Sequence, residues 1–311
     1  MKTGIKVFAP ATVANVACGF DLLGFAVYGM GDEIVVRPSE QTGITISKIT
    51  GDKGKLPKDP TKNVAGVAAM AVLEHLGLQN EVGIDFELRK KMPFGTGLGS
   101  SAASSVVGAM AVNEALNRPL TKRELLPFAM LGEQTADGAY HADNVAPCLL
   151  GGMIFCRDNP TLDVQRVYIP KGLYATVVLP EIEILTKDAR GVLSDTISLK
   201  KHIQQSGNLG GLIIGLMNSD FDLIGRSLQD VIIEPQRAKL IPHFYEVKEA
   251  AISAGALGCS ISGAGPSIFA LSNSSLKANQ IATTMQKVFK HYNIGSKVIV
   301  SEINNEGAVL C

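Results

Sequence analysis

Apolar and polar residues alternate in short runs near the start of the chain, and apolar residues three and four apart dominate from residue 63 onward. Residues 4–10 alternate as a strand does, and Pro10 is expected to stop it. Residues 11–24 form a Gly/Ala-rich passage whose strongly polar side chains are Asn15 and Asp21, residue types that often bond their own backbone in turns. Residues 32–37, 44–49 and 84–88 read as further strands, and a Lys/Asp/Pro-rich loop spans 51–62. Asn63 caps a helix ending near Gly77, with Val64, Val67, Ala68, Ala71 and Val72 on one side. Another helix is expected over 100–116. Thr121 and Glu124 then make a capping box opening a third, which reaches Gly132 or Glu133.

The polar break Asp158-Asn159-Pro160 is expected to divide the chain into two domains, 1–158 and 159–311. Strands at 164–169 and 174–179 precede a loop holding Thr186, Asp188 and Arg190. Helical spacing follows over 194–205, 209–217 and 220–228, before a break at Glu234-Pro235-Gln236-Arg237. A helix over 242–254 leads into a second glycine turn, 260–267, between two short apolar strands; a helix over 275–292 and a strand near 297–302 close the pattern. Strands and helices mix in both halves, which predicts a two-domain α/β or α+β enzyme.

Composition narrows the classes. With 46% apolar and 19% charged residues the 311-residue chain is globular rather than disordered or fibrous. Its 29 basic residues balance 29 acidic ones, so no overall field draws it to nucleic acid or to an anionic membrane. Five cysteines without a CxxC pair fit free thiols in a reducing compartment, hence the cytoplasm. The N-terminal stretch reads as a strand and not a signal peptide, and no apolar run reaches the roughly 18 residues of a membrane span.

The chemistry concentrates in residues 93–105. Gly95, Gly97 and Gly99 allow positive φ, so backbone N–H groups can converge on an anion where the helix begins. The dinucleotide fingerprint is absent, since Ser100 stands where its third glycine belongs. A Walker A loop is absent too, because Gly99 and not lysine precedes Ser100. Pro93 with Gly97-Leu98-Gly99-Ser100-Ser101-Ala102-Ala103 does resemble the phosphate loop of the galactokinase, homoserine kinase, mevalonate kinase and phosphomevalonate kinase superfamily. Ala14-Asn15 with Gly19-Phe20-Asp21, His141-Ala142-Asp143-Asn144 and Ser262-Gly263-Ala264-Gly265-Pro266-Ser267 follow in family order, and each is similar to the homoserine kinase branch.

That resemblance implies an α+β fold of two domains, the N-terminal one like ribosomal protein S5 domain 2 and the C-terminal one ferredoxin-like, with the active site between them. It implies ATP as co-substrate, held by Pro93, Gly95, Thr96, Gly97, Leu98, Gly99, Ser100, Ser101, Ala102 and Ala103, with Asn63 near the base unless its capping role is the whole account. Mg2+ would sit on the hard oxygens of Ser101 and Glu133. For L-homoserine, Asp21 would face the ammonium, Arg190 and Arg237 the carboxylate, and His141 and Gly263 would complete the pocket; the glycine turn around Gly263 is equally explained as a tight strand connection. Asn144 and Asn15 would orient the acceptor hydroxyl without a base, with Asp143 as the competing base. Related small-alcohol kinases and a non-catalytic nucleotide-binding regulator are the rival readings. A homodimer is expected from the family, and no stretch of the sequence marks its interface.

Overall fold

The computed structural model describes residues 4–138 and 140–311; the first three residues of the N-terminal stretch lie outside it. In chain order the first part contains β1 (Lys6–Ala14), β2 (Leu23–Pro38), β3 (Gly43–Thr50), α1 (Val64–His75), β4 (Gly83–Arg89), α2 (Ser100–Ala115), α3 (Lys122–Asp137), α4 (Ala142–Leu150), β5 (Met153–Asp158) and β6 (Asp163–Val167). The second contains β7 (Tyr174–Pro180), α5 (Thr186–Gly191), α6 (Leu199–Asn218), α7 (Phe221–Ser227), α8 (Glu234–Arg237), α9 (Phe244–Ser253), β8 (Gly258–Ile261), β9 (Ile268–Ser272), α10 (Ser275–His291), β10 (Ser296–Glu302) and β11 (Val309–Leu310).

Seven strands form the first sheet in the order β11-β1-β2-β4-β3, with β5 and β6 branching from β2. The long β2 makes this possible by pairing with β5 through Leu23–Phe25 and with β4 further along. Helices α1 to α4 cover one face, and Ile34 and Leu88 point into that core at full burial. By the two-residue period of a strand their neighbours Glu33 and Glu87 point the other way, where Lys91, Arg37 and Lys48 pair with them. Helices α1 and α2 approach closely because Gly108 has no side chain: a Cβ there would lie 2.2 Å from the Ala65 carbonyl oxygen.

The second sheet is four-stranded and antiparallel, in the order β10-β7-β9-β8. Numbered within this unit the order is 4-1-3-2, that of a ferredoxin-like βαββαβ arrangement. The larger apolar core runs unbroken from the first sheet to Ala175, Phe269 and Leu271 of the second. Phe25 meets Phe269 edge-on there, with ring centroids 6.0 Å apart. The molecule is a two-domain α+β structure whose halves share an apolar seam.

Several local expectations change. Pro10 does not end β1, because a register shift between Pro10 and Thr12 takes up the irregularity and the strand continues to Ala14. Helix α3 passes Pro127 and reaches Asp137. The loop around Thr186 is the short helix α5, the Glu234–Arg237 break is the short helix α8, and the two helical stretches expected over 194–205 and 209–217 are one helix, α6, which begins only at Leu199. Residues 158–160 lie at the turn between β5 and β6, so the first sheet continues to Val167 and regains a strand at β11.

Candidate active site

The end of β1, the loop before α2, the start of α4, helices α5 and α8 and the β8–β9 turn converge on one cleft of about 430 Å3. Its floor is the glycine loop. Gly95, Gly97 and Gly99 have φ of 63°, 71° and 66°, in the left-handed region that side chains disfavour. Close approach makes two of them obligatory: a Cβ on Gly97 would meet the Ser262 carbonyl oxygen at 2.3 Å, and one on Gly99 would meet Thr12 Oγ1 at 2.2 Å.

The second glycine turn braces the first. Ser262 Oγ donates to the Gly97 carbonyl at 2.7 Å and the Ser267 N–H to the Thr96 carbonyl at 3.2 Å. The Gly263 N–H bonds the Ala14 carbonyl at 3.1 Å, while Asn15 Nδ2 donates to the Gly263 carbonyl at 2.8 Å. Gly263 is thus both a turn residue between β8 and β9 and a point of attachment for the site.

Residues predicted from sequence largely meet here. Gly95, Thr96, Gly97, Gly99, Ser100 and Ser101 line the cleft, as do Asn15, Asp21, Glu133, His141, Asp143, Asn144, Arg190, Arg237 and Gly263. Leu98, Ala102 and Ala103 lie fully buried beneath the loop, and the exposed Pro93 stands at its entry, so these side chains shape the loop rather than line the cleft. Asn63 is also off the cleft. Its Oδ1 accepts from the Ala65 N–H at 3.1 Å and its Nδ2 donates to the Pro57 carbonyl at 2.8 Å, while its neighbours Lys62 and Val64 line the wall.

Two charge systems flank the loop. On one side Ser101 Oγ donates to Glu133 Oε1 at 2.8 Å, placing two hard oxygens at the first turn of α2, where the helix dipole is positive. On the other, Arg190 grips Asp21 with both terminal nitrogens at 3.1 and 3.2 Å, and His141 Nδ1 stands 3.5 Å from the same carboxylate. Arg237 is 3% exposed and anchored by carbonyls, Nε to Ala189 at 3.0 Å and Nη1 to Gly263 at 2.9 Å. Among the described residues no carboxylate pairs with it. Burial, with Arg190 adding to the effect, lowers its pKa to about 10, so it remains a buried cation facing the cleft.

Asp143 is also buried. Desolvation first, and the nearby charge of Asp21 second, push its pKa up to about 7, although the Asn15 N–H donates to Oδ2 at 3.3 Å. The next residue is held from behind: Thr12 Oγ1 donates to Asn144 Oδ1 at 2.8 Å, which turns the amide nitrogen toward the cleft.

Four residues escaped the sequence reading of the site. Thr12 sits in a strand that was expected to end at Pro10. Phe20 lies beneath both Arg190 and Arg237, with guanidinium carbons 5.4 and 5.0 Å from its ring centroid, and its place beside Asp21 was the available signal. Lys90 lines the cleft beneath the loop with its ammonium committed to Asp32, the Ser100 carbonyl at 2.6 Å and Ser104 Oγ at 2.8 Å. Asn159 bridges two parts of the site: its Oδ1 accepts from the Ala142 N–H at 2.7 Å and its Nδ2 donates to the Asp21 carbonyl at 3.2 Å.

Comparison with known proteins agrees with this geometry. The family model for the GHMP kinases N terminal domain matches residues 63–152, and that for the GHMP kinases C terminal matches residues 212–291. The homoserine kinase of Chlorobium phaeovibrioides is 48% identical, with 98% of each chain covered. That of Arabidopsis thaliana is 41% identical over 98% of this chain and 84% of its own. The crystal structure of homoserine kinase from Cytophaga hutchinsonii superposes with a TM-score of 0.97 at 54% identity, covering 100% of this chain and 98% of that one. The structure of L. major mevalonate kinase in complex with R-mevalonate has a TM-score of 0.70 at 15% identity, covers 97% of this chain and 98% of its own, and shares the fold. With relatives this similar along nearly its whole length, the chain belongs to the homoserine kinase branch of the GHMP kinases.

Proposed function

We propose that the cleft transfers the γ-phosphoryl group of ATP to the side-chain hydroxyl of L-homoserine, giving O-phospho-L-homoserine and ADP. In the cell this places the protein in the cytoplasm, in threonine biosynthesis. The observation that carries the reading is the meeting, in one cleft, of a helix-start anion cradle with a carboxylate and two guanidinium groups. The cradle suits a polyphosphate; the charged set suits a zwitterion.

Phosphoryl transfer needs positioning and charge stabilisation more than covalent chemistry. The backbone of residues 95–101 receives the phosphates. Ser101 and Glu133 fit Mg2+ by the chemistry of their oxygens, and the ion would supply charge neutralisation between the phosphates. Asp21 and Arg190 already satisfy one another, so an amino acid exchanges that one ion pair for two, ammonium on Asp21 and carboxylate on Arg190 and Arg237. His141 borders the same carboxylate.

Asn144, fixed by Thr12, and Asn15, fixed through the Gly263 carbonyl, orient the acceptor hydroxyl for in-line attack. Its proton leaves to a phosphate oxygen or to solvent. Asp143 supports the backbone of Asn15 and sets the charge of the pocket.

A coupled assay of ADP release with homoserine, mevalonate, galactose and no acceptor in parallel tests the reading. Turnover with homoserine alone is expected. Turnover with another alcohol in its place identifies a different small-alcohol kinase, and ATP binding without turnover identifies a nucleotide-binding regulator.

A further inference from the structure

Helix α8 is only four residues long, yet it carries two buried charges, Glu234 and Arg237, at 5% and 3% exposure. Arg237 lines the cleft and Glu234 does not. Its carboxylate bonds elsewhere: Oε1 accepts from Lys248 Nζ of α9 at 2.5 Å, and Oε2 from Ser260 Oγ of β8 at 2.6 Å. Burial raises the Glu234 pKa, and the Lys248 ammonium restores it only in part. Hydrophobic side chains of similar volume often hold such a junction as well or better, so stability alone does not account for a buried charge here.

The bonds around α8 form a closed frame. Arg237 Nη1 donates to the Gly263 carbonyl at 2.9 Å, and Gly263 stands three residues after Ser260, just as Arg237 stands three residues after Glu234. The two contacts are therefore parallel rungs between α8 and one continuous stretch, the end of β8 and the turn that follows it. One rung alone would leave α8 free to pivot; two fix its direction. Where the helix begins is set separately by Asp230, whose Oδ1 accepts from the Ile232 and Ile233 N–H groups at 2.9 Å and whose Oδ2 accepts from the Glu234 N–H at 2.8 Å.

A frame is needed because Arg237 faces a like charge. It shares the Phe20 ring with Arg190, and the two guanidinium groups repel until an anion lies between them. We infer, resting on the assignment of Arg237 to the substrate carboxylate, that Glu234 is a positioning residue: by holding α8 to β8 it keeps the Arg237 guanidinium converged with that of Arg190 on the carboxylate of the amino acid.

Steady-state kinetics of the full chain, with homoserine and ATP varied separately and thermal melting alongside, test this. Arg237→Lys is the control for the site itself. Glu234→Ala should raise the homoserine KM about tenfold and leave the KM for ATP unchanged. Glu234→Gln, whose amide oxygen still accepts from Lys248 and whose amide nitrogen can donate to Ser260 Oγ, should stay within about threefold of the unmodified chain. In the double variant, a residue acting through Arg237 adds less than about threefold to Arg237→Lys alone, whereas an independent structural defect multiplies it by the full tenfold or so. Ser260→Ala removes one bond of the frame without changing charge; it should raise the homoserine KM about threefold, again without multiplying the effect of Arg237→Lys, and it carries the test if Glu234→Ala does not fold. Equal rises in both KM values, no effect of either variant, Glu234→Gln as impaired as Glu234→Ala, or a fully multiplicative double variant overturns the inference and leaves the carboxylate assignment standing. An unchanged homoserine KM in Arg237→Lys overturns that assignment and the inference with it.

Discussion

Asp143 shows how burial sets both stability and chemistry. Its carboxyl titrates near 7 in the folded chain against an ordinary value of 3.8, so between those values the folded state holds more proton than the unfolded one. Its contribution to stability is therefore full below pH 3.8 and is lost as pH rises through 7, by up to about 4 kcal/mol. Asp143→Asn keeps an acceptor for the Asn15 N–H and removes the titration. Its melting temperature should exceed that of the unmodified chain at pH 8.5 and converge with it toward pH 4, as differential scanning calorimetry can follow. In the base-free reading this variant also keeps turnover within about tenfold, whereas loss of a general base costs roughly 100-fold or more with binding intact.

Arg237 is the opposite case, a buried cation whose anchors are two carbonyls. Arg237→Lys loses the planar fork, and the KM for homoserine should rise by roughly 10- to 100-fold, with the KM for ATP unchanged. Asn159 acts through others. Asn159→Ala frees both Asp21 and the Ala142 N–H, so steady-state kinetics should show a higher homoserine KM with ATP affinity retained, and Asn159→Asp, which keeps only the acceptor, should recover part of the loss.

The glycine loop and the elements that brace it make one unit. Gly99→Ala forces a side chain into the left-handed region, at roughly 1–2 kcal/mol, and drives its Cβ against Thr12 Oγ1 and Asn144 Oδ1. Its kcat should fall by about 100-fold or more, since the clash displaces the amide that faces the acceptor. This unit was also the most legible part of the sequence, because glycine spacing reports backbone geometry directly. Asn63 as a helix cap and Thr121–Glu124 as a capping box were legible for the same reason, being bonds made within a few residues. What could not be read was non-local. Thr12 touches Asn144 and Asn159 touches Asp21, contacts spanning more than 130 residues that no short pattern records. From sequence, α6 reads as two helices because its glycines weaken local helical preference, although packing against α7 holds it continuous.

The molecule joins its halves in two ways. The apolar seam around Phe25 and Phe269 is extensive, and the polar attachments between β1, the glycine loop and the β8–β9 turn sit at the edge of the cleft. The residues lining the cleft are thereby drawn from the beginning, middle and end of the chain: Asn15, Ser101 and Asn144, Arg237 and Gly263. That division explains why four ordered motifs, far apart in sequence, line one cleft. Motifs mark which residues meet; a polar Asp-Asn-Pro run marks a turn whether it lies between domains or, as here, inside a hairpin.

The short strand β11 extends this interleaving to folding. Val309 and Leu310 pair with Phe8 and Val7, and the Cys311 N–H bonds the Lys6 carbonyl, so the opening residues of β1 find their partners after every other element of the fold. Until β11 docks, the outer edge of β1 is an open ladder of donors and acceptors on a nearly complete sheet, the kind of edge that recruits strands from other chains. Docking of β11 covers that edge and removes an invitation to aggregate.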